Sequence, residues 1–203
     1  MLIRHGLPVR RELSVGRADP ELSADGHKQA EHLARYLADE RIDAIYASPL
    51  KRAHETALPL AALKGLPISI EDGVAEYDRD SNEYVPMEEL KANNDPRWHA
   101  VVNGEWDNPE MTREAWVANV VETIESIIAR HPSQRVAVVC HGGVLSSYLG
   151  HVLGITDSVH FFYPNYTSIH RVAAARSGER NILCINETAH LRGTGLPIGI
   201  FQG

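Results

Sequence analysis

Leu2-Ile3-Arg4-His5-Gly6 stands near the start of the chain, where two apolar residues run directly into a cation, an imidazole and a glycine. This pattern is typical of a buried strand that ends in a turn and delivers polar side chains at its carboxyl end. Open α/β sheets bind ligands outside the carboxyl ends of their strands. We therefore expect an anion here, bound by Arg4 and attacked or protonated by His5.

A second cation follows a second predicted strand, residues 43–47 (DAIYA). Ser48-Pro49 ends that strand, and serine as N-cap with proline at the first helical position predicts a helix start. Pro59 is expected to kink this helix or end it early. Arg52 falls one turn inside the helix, so its guanidinium can fold back toward the helix N-terminus, which attracts anions.

A second imidazole follows a continuous apolar run at residues 135–140 (RVAVVC). Such a run is typical of a strand buried on both faces. It ends in His141, Gly142 and Gly143, and a helix is predicted to start near Val144. The glycines let backbone N–H groups approach an oxyanion closely, so this strand end is a third candidate for anion binding.

A carboxyl group is expected after a further strand, which is predicted at residues 67–70. In this stretch an acid follows the small apolar residues Val74 and Ala75, a setting that suits a carboxyl group half-withdrawn from water, and Glu76 and Asp78 both qualify. Burial raises the pKa of a carboxyl group, so that it can donate a proton near neutral pH. The residues by themselves do not choose between Glu76 and Asp78.

The rest of the chain alternates helices and strands. A helix is predicted at 24–39, and Thr112 is predicted to cap a long one. Strands at 168–174 and 181–186, joined by the turn residues Ser177-Gly178, predict a hairpin. With 203 residues, we expect a single domain.

Residues 79–110 differ in composition from their surroundings, because they are polar, acidic and broken by prolines. Insertions of this kind in α/β enzymes tend to cover the site and choose the substrate, so we expect a lid here. The glycine-rich end, residues 192–203, is expected to be either disordered or a flap.

Charge and hydropathy argue against several classes of protein. The formal charge of −7 gives no general attraction for nucleic acid or for an anionic membrane. No apolar run approaches the roughly 20 residues that span a bilayer, and Arg4 and His5 interrupt any signal peptide. Cys140 and Cys184 lie in apolar strand-like runs and are expected to be buried free thiols. We therefore expect a cytoplasmic protein.

The polar groups at the strand ends are the set that cleavage of a phosphate ester needs. One imidazole attacks phosphorus in line and forms a phosphohistidine. The guanidiniums and the second imidazole hold the equatorial oxygens, while a protonated carboxyl group protonates the departing alkoxide. The cations replace a metal, and the 11 histidines show no metal-ligand spacing, so we expect neither a metal nor another cofactor.

The motifs together resemble those of the histidine phosphatase superfamily, which includes the cofactor-dependent phosphoglycerate mutases and the phosphohistidine acid phosphatases. The family's Arg-His-Gly motif matches Arg4-His5-Gly6, and its late His-Gly matches His141-Gly142. A motif Gly-x-x-Asp-x-x-Leu-Ser/Thr-x-x-Gly-x-x-Gln-Ala matches residues 16–30. A motif Ser-x-Leu-x-Arg-Ala-x-x-Thr-Ala matches residues 48–57.

The resemblance implies a three-layer α/β/α sandwich with a mostly parallel central sheet, like that of phosphoglycerate mutase. It implies a metal-independent hydrolase of small-molecule phosphomonoesters, with His5 as nucleophile, Arg52 as phosphate ligand and Glu76 as the acid. The expected catalytic residues are Arg4, His5, Arg52, Glu76 and His141, and the expected substrate-binding residues are Arg4, Arg11, Arg52, His141 and Gly142.

The chain departs from the family pattern in two places. Arg11 stands where the family commonly has an asparagine, which adds a cation to the expected phosphate-pocket rim. The mutases' paired arginines are replaced by isolated Arg79 and Arg97, so a hydrolase is favoured over a mutase. Two alternatives stay open: mutase-type phosphoryl transfer, and a non-catalytic phosphate-binding or regulatory domain. The sequence does not indicate the oligomeric state.

Overall fold

The computed structural model describes residues 1–103, 105, 111–155 and 161–201. The strands of this part of the chain are Leu2–Arg4 (β1), Arg11–Glu12 (β2), Ala44–Ala47 (β3), Ile68–Ile70 (β4), Glu83–Tyr84 (β5), Val136–Cys140 (β6), Ile169–Ala174 (β7) and Arg180–Glu187 (β8). The α-helices are Ala24–Tyr36 (α1), Lys51–Lys64 (α2), Met87–Ala92 (α3), Pro96–Val102 (α4), Arg113–Arg130 (α5) and Gly142–Leu153 (α6).

The central sheet is mostly parallel. In the described part of the chain its order is β4-β3-β6-β1-β7-β8, and β4, β3, β6 and β1 run parallel to one another. The hairpin β7–β8 adds two antiparallel strands beside β1 and confirms the hairpin predicted from the turn residues.

Helices cover both faces of this sheet. Successive side chains of β1 therefore enter two different cores, one on each face. Ile3 packs with Leu33 of α1 and Leu60 of α2 on one face. Leu2 packs with Ile124 of α5 and Leu145 of α6 on the other. The three-layer α/β/α arrangement expected from the sequence is confirmed.

The parallel strands β3, β6 and β1 end side by side, and this brings the polar residues after them to one edge. The amide of His5 donates to the carbonyl of Cys140 at 3.0 Å, and the amide of Ser48 donates to the carbonyl of Val139 at 3.0 Å. The chain segments that follow the three strands are therefore held in register by backbone hydrogen bonds.

One expectation about α2 was wrong, and one of the two outcomes expected for Pro59, an early helix end, is excluded. Ser48 does not cap the helix: Leu50 occupies the N-cap position, and the Ser48 side chain bonds to His141 instead. Pro59 does not end the helix, which continues to Lys64. A proline inside a helix costs about 3 kcal/mol, and the buried neighbours Ala57 and Leu60 offset that cost by packing against the core.

The predicted insertion contains β5, α3 and α4, and β5 pairs with β2 in a small separate sheet. Its residues 104 and 106–110 lie outside the described part of the chain. The C-terminal segment lies across α1, where Gln29 Nε2 donates to the carbonyl of Pro197 at 2.5 Å.

Both cysteines are free, as expected, but they differ in burial. Cys140 is buried, whereas Cys184 is half-buried on β8, which is an edge strand of the sheet. Among the described helices, none has the length and apolar character needed to cross a bilayer.

Gly26 allows α1 to approach the turn after β1, and its replacement tests that contact. A Cβ at Gly26 would overlap the Leu7 carbonyl oxygen and lie 3.2 Å from the Leu22 Cβ. We expect Gly26→Ala to destabilise the protein by about 1–3 kcal/mol, measured by urea unfolding. Helix propensity alone predicts the opposite sign, a gain of about 1 kcal/mol, so an unchanged or raised stability would contradict the close packing.

Candidate active site

Two guanidiniums and two imidazoles meet at the carboxyl edge of the sheet. Arg4 is 9% exposed, His5 2%, Arg52 1% and His141 0%. Charged side chains are rarely buried to this degree unless they have a partner. The structure thus brings together the four residues that the strand-end patterns selected.

The hydrogen bonding of His5 fixes which of its ring nitrogens is basic. Its Nδ1 lies 2.7 Å from the carbonyl oxygen of Gly6. Because a carbonyl oxygen only accepts, Nδ1 carries the proton and Nε2 carries the lone pair. Burial, and then the charges of Arg52 and Arg4, hold the pKa of His5 well below its usual range. The imidazole is therefore neutral near pH 7, which is its nucleophilic form.

His141 lies behind His5, with 5.1 Å between the two ring centroids. Its Nε2 is 2.7 Å from the hydroxyl of Ser48. Its Nδ1 is buried and has no hydrogen-bond partner among the described residues. Burial and the charge of Arg52 also hold the pKa of His141 well below its usual range. The second imidazole is thus neutral, and His141 is fully buried and not itself among the residues that line the cavity.

Each guanidinium packs against a tyrosine ring. The Arg4 Cζ lies 4.3 Å from the centroid of Tyr166, and its Nη1 donates to the carbonyl of Pro164 at 2.6 Å. The Arg52 Cζ lies 4.6 Å from the centroid of Tyr84. Ring faces attract cations without neutralising them, so both positive charges remain available to an anion.

Carboxylates near these cations are few. Asp78 lies 3.7 Å from Arg52, and no ion pair joins Arg4 to any described residue. The Nε atoms of Arg4 and Arg52 are buried with no hydrogen-bond partner among the described residues. Buried charge without a matching countercharge is costly, so this site is arranged to receive an anion.

The two candidate acids differ in their surroundings. Glu76 accepts hydrogen bonds from the amides of Gly143 at 2.9 Å and Tyr77 at 3.1 Å. Burial, followed by the charge of Asp78, nevertheless raises the pKa of Glu76. Burial also raises the pKa of Asp78, but the adjacent Arg52 favours its ionised form. Glu76 has no ion pair with any described residue, so the geometry favours Glu76 as the carboxyl group that keeps its proton.

Arg11 does not join the site, which corrects the expectation that it contributes to phosphate binding. Its guanidinium pairs with Glu21 at 2.8 Å, and it is not among the residues that line the cavity. The pairing of β2 with β5 fixes this position, with Arg11 opposite Tyr84. Gly142 does line the cavity, as the first residue of α6, where helix N-termini attract anions.

Two side chains that the strand-end patterns do not predict hold the turn after β1. Thr56 Oγ1 accepts from the amide of Gly6 at 2.9 Å, and Gln29 Oε1 accepts from the amide of Leu7 at 2.7 Å. Both residues lie in the motifs that match the family, and this was the available signal. Tyr84 and Tyr166 had no comparable signal, because an aromatic residue in a sequence normally indicates only core packing.

The anion site forms the inner end of a cavity of about 190 Å³. The buried Arg4, His5 and Arg52 line its inner part together with Glu76, and Tyr77 and Trp116 belong to the adjoining wall. This arrangement can hold a tetrahedral oxyanion between two guanidiniums, with a neutral imidazole and a protonated carboxyl group nearby.

Comparison with known proteins gives one family. The model of the histidine phosphatase superfamily (branch 1) matches residues 1–188. Phosphoserine phosphatase 1 of Hydrogenobacter thermophilus is 32% identical over 202 residues, covering 94% of this chain and 93% of that protein.

Solved structures show the same fold. Phosphoserine phosphatase from Entamoeba histolytica, in complex with 3-phosphoglyceric acid, is 26% identical with a TM-score of 0.74, covering 94% of this chain and 97% of that one. YhfR of Bacillus stearothermophilus is 22% identical with a TM-score of 0.76, covering 94% of this chain and 98% of that one. At 22% identity, the similarity to YhfR shows the fold alone.

Replacing Tyr166 tests whether its ring positions Arg4. Tyr166→Leu removes the ring face, and we expect it to weaken binding of inorganic phosphate about five- to thirtyfold, as loss of a desolvated cation–π contact of about 1–2 kcal/mol implies. Titration calorimetry measures the change.

Tyr166→Phe is the matched control for this test. It keeps the ring and removes only the hydroxyl, which donates to Glu88 at 2.8 Å. We expect it to bind phosphate nearly as the unaltered protein does. Equal losses in the two variants would show that the hydroxyl, and not the ring, supports Arg4.

Proposed function

The chain belongs to the histidine phosphatase superfamily, and from that premise we propose that it hydrolyses phosphomonoesters without a metal ion, through a phosphohistidine formed on His5. The observation that carries the proposal is the Nδ1–H bond of His5 to the Gly6 carbonyl, beside two buried guanidiniums. That bond leaves the lone pair on Nε2, while the guanidiniums supply the charge that a phosphoryl group needs.

In the first half of the reaction, the Nε2 lone pair of His5 attacks phosphorus. A P–N bond forms as the ester P–O bond breaks, and the alkoxide takes the proton of Glu76. Arg4 and Arg52 hold the equatorial oxygens, with the free Nδ1 of His141 and the N-terminus of α6 at Gly142. Cations that are already in place stabilise the negative charge that develops on the phosphoryl oxygens.

In the second half, water cleaves the phosphohistidine. Glu76, now ionised, takes a proton from the water as its oxygen bonds to phosphorus and the P–N bond breaks. Inorganic phosphate forms, while His5 returns to its neutral state and Glu76 to its protonated state. The two amide donors to Glu76, from Tyr77 and Gly143, hold the carboxyl group in place in both halves.

The cations of the insertion favour hydrolysis over mutase-type transfer. Arg97 pairs with Asp95 and Glu83 at 2.8 Å each, and Arg79 lies 3.3 Å from Asp72. Neither arginine is therefore left unpaired for a second acidic group of a sugar acid. Adding a bisphosphorylated primer, and following phosphate returned to phosphoglycerate rather than released, separates the two activities.

We also propose that residues 1–203 act as one domain and that residues 79–110 serve as its lid. Contacts with the site support the lid, because Tyr84 covers Arg52 and Glu88 bonds to Tyr166, whose ring covers Arg4. Two free thiols are typical of a reducing compartment, so we propose a cytoplasmic location. The absence of nucleic-acid and membrane partners stays a prediction.

The phosphohistidine can be trapped directly. After a brief reaction with a ³²P-labelled ester and an alkaline denaturing quench, we expect label on the protein and on the His5 peptide. His5→Ala should carry no label and lose turnover by at least about 10³-fold, because it lacks the nucleophile.

His27→Ala is the matched control, since His27 is an exposed histidine of α1. It should be labelled as the unaltered protein is. Phosphate release with no labelled intermediate at any time would argue against covalent catalysis, and labelling of His5→Ala would assign the nucleophile elsewhere.

The role of Glu76 as acid predicts a dependence on the leaving group. Glu76→Gln cannot transfer a proton, so we expect kcat for an alkyl phosphate to fall about 10²–10⁴-fold. The loss for an aryl phosphate should be much smaller, because a phenolate leaves without protonation. Asp78→Asn is the matched comparison and should not show this split between the two esters.

The pH profile supplies a second readout for Glu76. Its protonated form is the active one, so activity on the alkyl ester should decline as pH rises through the raised pKa of Glu76. Because the pKa of His5 is lowered, neutral imidazole persists below pH 6.5 and the acid limb lies below that value. A Glu76→Gln profile with the same alkaline limb would assign that limb to another group.

A further inference from the structure

The outer wall of the cavity has a different chemistry from its inner end. Beyond the anion site, most of the described lining residues have apolar or aromatic side chains, and most of these come from the insertion and from the segment before β7. They include Val85, Met87, Leu90, Val101, Phe162 and Pro164, whereas the charged side chains of the lining are Asp78, Glu83, Arg97 and Arg113. An apolar wall next to a phosphate site gives the alcohol half of an ester little to hydrogen-bond with.

Two aromatic side chains of the wall donate their polar hydrogens to backbone carbonyls. Trp116 Nε1 donates to the carbonyl of Ala75 at 3.1 Å, and the hydroxyl of Tyr77 donates to the carbonyl of Met111 at 3.0 Å. These residues therefore offer ring surface to a ligand, while their donors are already used.

The cations near the outer part of the cavity differ in their pairing. Arg97 is held by Glu83 and Asp95. Arg113 lines the cavity and forms no ion pair within the described residues. Arg113 is thus the competing feature, because it would suit a substrate that carries a second anionic group, such as a carboxylate.

From this wall we propose that the enzyme prefers phosphomonoesters of apolar alcohols, alkyl or ring-bearing, over phosphates of amino acids and polyols. The inference rests on the proposed function and names its substrate class. Transfer of an apolar alcohol from water to this wall is favourable, because apolar surface is removed from water. Hydroxyl or ammonium groups placed there would lose their water and find few partners, which costs binding.

A homologous series of alkyl phosphates tests the preference at nearly constant leaving-group basicity. We expect kcat/KM to rise about threefold per added methylene from ethyl through butyl to hexyl phosphate, as burial of each methylene implies. Benzyl phosphate should rank with hexyl phosphate. Phosphoserine, the molecule named for two of the similar proteins, and glycerol phosphate should fall below butyl phosphate.

A pair of variants at Met87, the first residue of α3, links the preference to the wall. Met87→Gln keeps the length of the side chain but makes its end polar. We expect it to lower the hexyl-to-ethyl ratio of kcat/KM about fivefold. Met87→Leu keeps the wall apolar and should retain that ratio. Thermal melting checks that both variants fold.

The outcomes separate this inference from the proposed function. A flat alkyl series, or phosphoserine turned over as well as hexyl phosphate, overturns the apolar preference and leaves the phosphatase in place. Loss of phosphoserine turnover in Arg113→Gln would then assign the outer cavity to an anionic group. No phosphate release from any ester, with no label on His5, overturns the proposed function itself.

Discussion

Two positive charges held out of water dominate this structure. Arg4 and Arg52 lie at the carboxyl edge of the sheet, each against a tyrosine ring, with Asp78 as the carboxylate near Arg52. An anion would relieve this imbalance, and this is the physical basis for the proposal that the site binds a phosphoryl group. Burial, and then the charges of these arginines, lowers the pKa of His5 and of His141, so a site for an anion and neutral imidazoles follow from one arrangement.

The sheet holds these charges in place because its parallel strands end together. Backbone hydrogen bonds from His5 to Cys140 and from Ser48 to Val139 fix the segments after β1, β6 and β3. Cores on both faces of the sheet stabilise the strands. The turn after β1 is held further by Thr56 and Gln29, so the proposed nucleophile, His5, stands on backbone that has little freedom to move.

The two ends of the cavity come from different parts of the chain. The sheet edge supplies the groups that we propose act on phosphorus, whereas the insertion and the segment before β7 supply most of the outer wall. Tyr84 and the Glu88–Tyr166 bond join the two, because each places the insertion against a catalytic guanidinium or its support. A change in the wall that leaves Tyr84 and the Glu88–Tyr166 bond in place is therefore expected to leave the phosphate site undisturbed.

The sequence by itself determined the layered fold and the strand-end residues Arg4, His5, Arg52 and His141. Apolar periodicity and strand-ending glycines are local patterns, and parallel strands necessarily bring their carboxyl ends together. Tertiary structure decided the rest: it paired Arg11 with Glu21, joined Ser48 to His141 across 93 residues, and placed Tyr84 and Tyr166 over the guanidiniums. Tertiary structure also placed Asp78 beside Arg52, and this contact distinguishes Asp78 from Glu76 as a candidate acid. The physical reason is that local patterns fix which way a side chain points along its own element, whereas its partner and its burial depend on packing between distant segments.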